Sequence, residues 1–131
     1  MRAMTLVASA IAVVALGGYA AAQTTKAPAM PAAVHVMNGM LTDTKGMSLY
    51  TFDNDKEPNK SACTGGCVTN WPILKAAAAD KDMGDWKVIT RDDGAKQWAF
   101  KGKPLYYFAM DKAAGDKLGD GRGGLWHFAK P

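Results

Sequence analysis

Cys63 and Cys67 are the two cysteines of this 131-residue chain. An even count at close spacing predicts a disulfide in an oxidising compartment. It would close a tight loop around Thr64-Gly65-Gly66. Loop-closure entropy for so short a ring contributes about 2 kcal/mol at most. The sharper alternative is a redox-active pair. However, the spacing is not Cys-x-x-Cys, and no thioredoxin-like strand–helix–strand pattern surrounds it. Covalent haem is disfavoured because Val68, not His, follows Cys67.

A second group is His35, Met37 and Met40, with Met47 close behind. Imidazole and thioether ligands suit copper. Against this, His35 and Met37 share one face of a strand, and methionine is an ordinary core filler. His127, between Trp126 and Phe128, reads as a partly exposed strand residue. The acidic loops form a third group: Asp53, Asp55 and Glu57, then Asp111, Asp116 and Asp120. Oxygen-rich loops can hold Ca²⁺, but neither has EF-hand spacing, and Lys56, Lys112 and Lys117 intervene. Asp55 and Asp111 are expected instead to accept hydrogen bonds from loop amides or to cap turns. The aromatic residues, including Trp71, Trp86, Trp98 and Trp126, must supply much of the core. Those left over could line a shallow groove for a hydrophobic ligand, a glycan or a partner.

Enzyme signatures are missing. Beyond the N-terminal apolar run the chain carries two histidines, His35 and His127, one glutamate, Glu57, and only two serines, Ser48 and Ser61. No nucleophile–base spacing, phosphate-cradling loop or zinc-protease helix appears. No catalytic residue and no cofactor is therefore assigned, copper being the alternative.

The elements that must position these groups come from a repeat. Residues 45–55, Lys-Gly-Met-Ser-Leu-Tyr-Thr-Phe-Asp-Asn-Asp, match residues 101–111, Lys-Gly-Lys-Pro-Leu-Tyr-Tyr-Phe-Ala-Met-Asp, at six of eleven positions. The shared residues are Lys45/Lys101, Gly46/Gly102, Leu49/Leu105, Tyr50/Tyr106, Phe52/Phe108 and Asp55/Asp111, with Trp71 and Trp126 following at nearly equal distance. Leu-Tyr-x-Phe is strand-favouring, with Leu49 and Tyr50 on opposite faces. Gly46 and Gly102 mark turns. Further strands are predicted over Val34–Met37, Trp86–Thr90, Lys96–Phe100 and Leu125–Ala129. Asn38-Gly39, Asp43–Gly46 and Asp92-Asp93-Gly94 are the turns. Residues 86–108 read as a three-stranded meander, and 34–52 follow a similar plan. Only Ile73–Asp82, with its alanine run, suggests a short helix.

The first 22 residues read as a cleavable signal peptide. Arg2 precedes the apolar run Leu6–Leu16, and Ala20-Ala21-Ala22 offers a cleavage site before Gln23. Residues 23–33, with two prolines and no periodicity, read as a disordered leader. The remaining 34–131 form one small domain, with copies over about 34–85 and 86–131. No Cys follows the apolar run to accept a lipid, and no later stretch is apolar enough to span a bilayer. The expectation is an exported protein, periplasmic or extracellular, and soluble once processed. The net charge is +4 with both signs interspersed and no basic stripe, which argues against nucleic acid as a partner.

Taken together, the doubled Leu-Tyr-x-Phe-x-x-Asp, the segment Ser61-Ala-Cys63-Thr-Gly-Gly-Cys67 before Trp71-Pro72, Arg91-Asp-Asp-Gly94 and Gln97 make the chain recognisable. It resembles the bacterial secreted-repeat family of unknown function, predicted lipoproteins with a conserved Tyr-x-aromatic-x-x-Asp motif. The resemblance covers residues 34–131. It implies export and a repeat architecture, and it implies no activity. The lack of a lipid-accepting Cys departs from the lipoprotein members. The combined reading is an all-β domain of two similar β-meander units. Its expected role is a non-catalytic binding or interaction module, partnered by an envelope protein or a small hydrophobic ligand. The alternative is a copper or redox accessory protein using the His/Met segment or the cysteine pair.

Overall fold

The structure is a computed structural model and describes residues 29–131. The expected signal peptide, and the leader as far as residue 28, lie outside the described residues. The strands are β1 (Val34–Met37), β2 (Met40–Asp43), β3 (Tyr50–Phe52), β4 (Trp86–Thr90), β5 (Lys96–Phe100), β6 (Lys103–Pro104) and β7 (Trp126–Phe128). One short helix, α1 (Cys67–Asn70), and a 3₁₀ turn at Arg122–Gly124 complete the described elements. The strands form three antiparallel sheets, ordered β1-β2, β3-β7 and β4-β5-β6. The fold is all-β, as the repeat pattern predicts.

Each copy begins with a hairpin, β1-β2 in the first and β4-β5 in the second. The segment that follows each hairpin returns to it at the repeat leucine. The Leu49 N–H donates to Leu41 O (3.1 Å), and the Leu105 N–H donates to Trp98 O (3.0 Å). The two copies reach this arrangement with exchanged turns. In the first, Asn38-Gly39 makes the two-residue hairpin, with φ of 51° and 75°. Gly46 (φ 81°) then closes the wider loop after Asp43. In the second, the wide loop is Asp92-Asp93-Gly94 and the two-residue turn is Lys101-Gly102, with φ of 50° and 83°. The matching glycines thus share a left-handed backbone but serve different turn types.

Alternation along Leu-Tyr-x-Phe divides the interior in two. Leu49 and Leu105 join Val34, Leu41, Leu74, Trp86, Trp98 and Ala129 in one core. Tyr50 and Tyr106 join Cys63, Trp71, Phe108 and Trp126 in the other. Both leucines and both tyrosines are fully buried. The two Leu-Tyr segments therefore meet apolar material on both faces, which is why they lack polar alternation.

Three expectations are corrected. The short helix is Cys67–Asn70, not Ile73–Asp82. Residues 73–76 are extended instead: Ile73 bridges Tyr106, Lys75 bridges Gln97, and the Leu74 N–H donates to Leu105 O (3.0 Å). Neighbouring backbones and the burial of Leu74 override the helical preference of the alanines. The third strand of the 86–108 meander ends at Pro104 rather than running to Phe108. There the chain changes partner. The Tyr106 N–H donates to Tyr50 O (3.0 Å), and the Tyr107 N–H donates to Pro72 O (2.6 Å). The buried Gln97 side chain takes up Leu105 O (2.8 Å) where that strand departs. Finally, within the stretch expected to be a disordered leader, Met30 packs on the first core and Pro31 is buried, its carbonyl accepting the Val34 N–H at 3.0 Å. Their apolar surface is what holds them there.

Candidate functional site

The repeat motifs meet on a local pseudo-twofold. Tyr50 and Tyr106 pair by reciprocal backbone hydrogen bonds of 2.8 and 3.0 Å. Their hydroxyls then cross between copies. Tyr50 Oη donates to Asp111 Oδ2 (2.6 Å), and Tyr106 Oη donates to Asp55 Oδ2 (2.7 Å). Each aspartate closes its own loop with the other oxygen: Asp55 Oδ1 accepts the Ala62 N–H (2.5 Å), and Asp111 Oδ1 accepts the Leu118 N–H (3.0 Å). Both amides lie seven residues beyond their aspartate. The expected loop-amide bonds are thus present. The second partner of each carboxylate, the tyrosine of the opposite copy, has no signal in the local sequence.

The aromatic side chains cross in the same way. Trp71 and Trp126 stack with centroids 3.7 Å apart and planes 1° apart. Phe52 of the first copy stacks on Trp126 of the second (4.1 Å), and Phe108 of the second lies on Trp71 of the first (4.5 Å). Tyr50 meets Trp71 edge-on at 5.5 Å, and Tyr106 meets Trp126 edge-on at 5.2 Å. The β3-β7 pairing, which sets Phe52 opposite Trp126, brings the two copies into this register. Neither copy completes the cluster alone.

The two halves differ around the phenols. Gly119 N–H donates to Tyr50 Oη at 3.3 Å. At the equivalent place Tyr106 Oη has Ser61 Oγ at 2.6 Å. Ser61 Oγ in turn accepts from Arg91 Nη1 (2.7 Å), which also donates to Gln97 Oε1 (2.8 Å). Arg91 Nη2 donates to the carbonyl of Cys63. This buried guanidinium therefore ties the disulfide loop to β5. Cys63 and Cys67 are bonded, with S–S 2.00 Å and Cα atoms 5.3 Å apart. Desolvation raises the Asp55 carboxyl above its ordinary value, against the lowering pull of Tyr106, Ala62 and Arg91. Burial, then hydrogen bonding to the aspartate, raises both tyrosines above the usual phenol range.

The remaining candidates lie apart. His35 and Met37 are exposed on β1, whereas Met40 is buried. His127 Nε2 lies 2.8 Å from Asp53 Oδ2, both side chains being about half exposed. Asp116 accepts the N–H groups of Lys112 and Ala113 (2.9 and 3.0 Å), which lower its pKa, and Asp120 accepts that of Phe128 (3.1 Å). Among the described residues no group of three His, Cys, Asp or Glu side chains is placed to hold a metal ion.

Two concavities are walled by apolar side chains. A groove of about 310 Å³ runs over Trp71, Trp126, Phe108, Met110 and Leu125, with Arg122 as the charged lining residue. A larger cavity of about 500 Å³ lies between the first hairpin and the start of β4, lined by Met30, Val36, Leu41, Trp86, Phe100 and Pro131 along with Asp85 and Lys101.

A family described as a secreted repeat of unknown function matches residues 33–75 and 87–130, one match to each copy. The chain belongs to this secreted-repeat family. No curated protein and no solved structure matches it. In this secreted repeat, Tyr50, Phe52, Asp55 and Trp71 fall in the first match and Tyr106, Phe108, Asp111 and Trp126 in the second. Among the described residues no helix is long and apolar enough to cross a membrane. Sequence reasoning missed the network of Arg91, Ser61 and Gln97. Its available signal was weak: Arg91 directly follows β4, and Gln97 is an amide between Lys96 and Trp98 within β5.

Proposed function

We propose that this secreted repeat is a non-catalytic binding module of the cell envelope that holds a small apolar molecule in the cavity beside Trp86. The observation that carries the reading is the cavity itself. Its volume of about 500 Å³ falls within the roughly 300–1,000 Å³ typical of ligand sites. Its walls are aliphatic and aromatic, and the two charged lining residues, Asp85 and Lys101, can orient a polar end. The groups that could serve chemistry are engaged elsewhere. Asp55, Tyr106, Ser61 and Arg91 bond to one another or to loop backbone, an arrangement that supports holding loops rather than turning over substrate.

The test is titration with the neutral apolar fluorophore N-phenyl-naphthylamine, read by probe emission and tryptophan quenching. Val36 lines the cavity and is 46% exposed. Val36→Lys should abolish binding and leave the melting curve in place. Undiminished binding by Val36→Lys refutes the site. Loss of binding in Leu125→Lys instead moves it to the tryptophan groove.

A further inference from the structure

We infer that the array Tyr50–Trp71–Trp126–Tyr106 is a one-electron relay, taking an oxidising equivalent from an anionic oxygen-derived radical at the tryptophan groove and holding it as a neutral tyrosyl radical. Neither the disulfide nor the His/Met segment takes part. The groove shares no lining residue with the cavity beside Trp86, so the relay stands or falls apart from the binding reading.

Four observations carry it. First, the four most readily oxidised rings of this core are contiguous, with successive centroids 5.5, 3.7 and 5.2 Å apart. Second, the central pair is stacked with parallel planes, so a positive charge on it is shared by both indoles. Third, the indoles line an open groove whose charged residue is Arg122, which draws an anion towards them. Fourth, each terminal phenol donates to a carboxylate at 2.6 or 2.7 Å. A Phe would pack against the same rings. What the hydroxyl adds is a proton already aimed at a base. Oxidising a phenol without removing its proton leaves a buried cation, and the low-dielectric surroundings oppose that. The aspartates remove the obstacle at both ends.

The steps balance as follows. The radical anion, an oxyl radical of the carbonate type, takes one electron from the Trp71–Trp126 pair and leaves as the closed-shell dianion, with no proton required. The indole radical cation takes one electron from Tyr106 or Tyr50. The phenol O–H bond breaks in the same event, its proton passing to Asp55 Oδ2 or Asp111 Oδ2. A one-electron donor such as ascorbate restores the phenol, and the proton returns from the aspartate.

The experiment is pulse radiolysis of the folded protein in azide solution, where the azide radical oxidises tryptophan. Indolyl absorbance should appear first and convert to phenoxyl absorbance at a first-order rate independent of protein concentration. Tyr107→Phe should leave this conversion intact. The double variant Tyr50→Phe/Tyr106→Phe should abolish it, and Asp55→Asn/Asp111→Asn should slow it. Phenoxyl growth that persists in the double Phe variant, or that vanishes in Tyr107→Phe, overturns the relay. If the double Phe variant does not fold, the wild type still decides. A conversion rate that rises in proportion to protein concentration is intermolecular and overturns it equally.

Discussion

Tyr50→Phe tests the crossed architecture directly. The Tyr50 hydroxyl is buried, donates to the Asp111 carboxylate at 2.6 Å and accepts the Gly119 N–H at 3.3 Å. Removing it deletes a hydrogen bond to a charged group, worth about 1.5–3 kcal/mol, and leaves the Gly119 amide and one carboxylate oxygen without that partner. Asp111 keeps its bond from the Leu118 amide, so the carboxylate is not stranded. The expected loss is about 2–4 kcal/mol, a large share of the 5–15 kcal/mol typical of a small domain. Urea titration followed by tryptophan fluorescence measures it. The sharper readout is a double-mutant cycle. Once Asp111→Ala has removed the acceptor, Tyr50→Phe has little left to cost, so the pair should couple by about 1–3 kcal/mol. Tyr106 should couple in the same way with Asp55. The within-copy pair Tyr50 and Asp55 share no hydrogen bond and should be additive within about 0.5 kcal/mol. Coupling within a copy and additivity across copies would refute the crossed arrangement.

Four further outcomes are expected. Because the Asp55 carboxyl is raised above its ordinary 3.8, the folded state holds more protons than the unfolded state between 3.8 and the raised value. The stability of the wild type relative to Asp55→Asn should therefore fall as pH rises through that window and then level off, and a rise over the same window in urea titrations contradicts the assignment. Replacing both Cys63 and Cys67 by Ser should lower stability by about 2 kcal/mol at most with the fold kept, as checked by circular dichroism and thermal melting. A Cβ at Gly119 would stand 2.9 Å from the Trp71 ring and 3.0 Å from Phe108, so Gly119→Ala should cost about 1–3 kcal/mol in the same melts. Gly66→Ala, with φ of −61° and open space around the Cβ, should be neutral or stabilise by up to about 1 kcal/mol.

Short-range physics made much of this protein legible in advance. The Asn38-Gly39 and Asp92-Asp93-Gly94 turns, and the strands over Val34–Met37, Trp86–Thr90 and Lys96–Phe100, follow from backbone preferences acting over a few residues. The two-faced reading of Leu49 and Tyr50 follows from the strand period alone, and the structure sends the two residues into different cores. The alanine-rich segment Ile73–Asp82 does not follow its local helical preference, because its conformation comes from the backbones of residues 97 and 105–106, far away in the chain.

The duplication was visible in the residues as six matches and two tryptophans, but a repeat states likeness, not pairing. The same string is compatible with two self-contained meanders, each tyrosine meeting its own aspartate. Tertiary structure decided otherwise. An unpaired β3 edge needs a hydrogen-bonding partner, β7 supplies one, and that register lays Phe52 on Trp126 and carries each phenol to the other copy's carboxylate. The composition of the aromatic core was thus set by the sequence, whereas its connectivity was set by strand pairing across the repeat boundary. Only the folded chain brings those edges together.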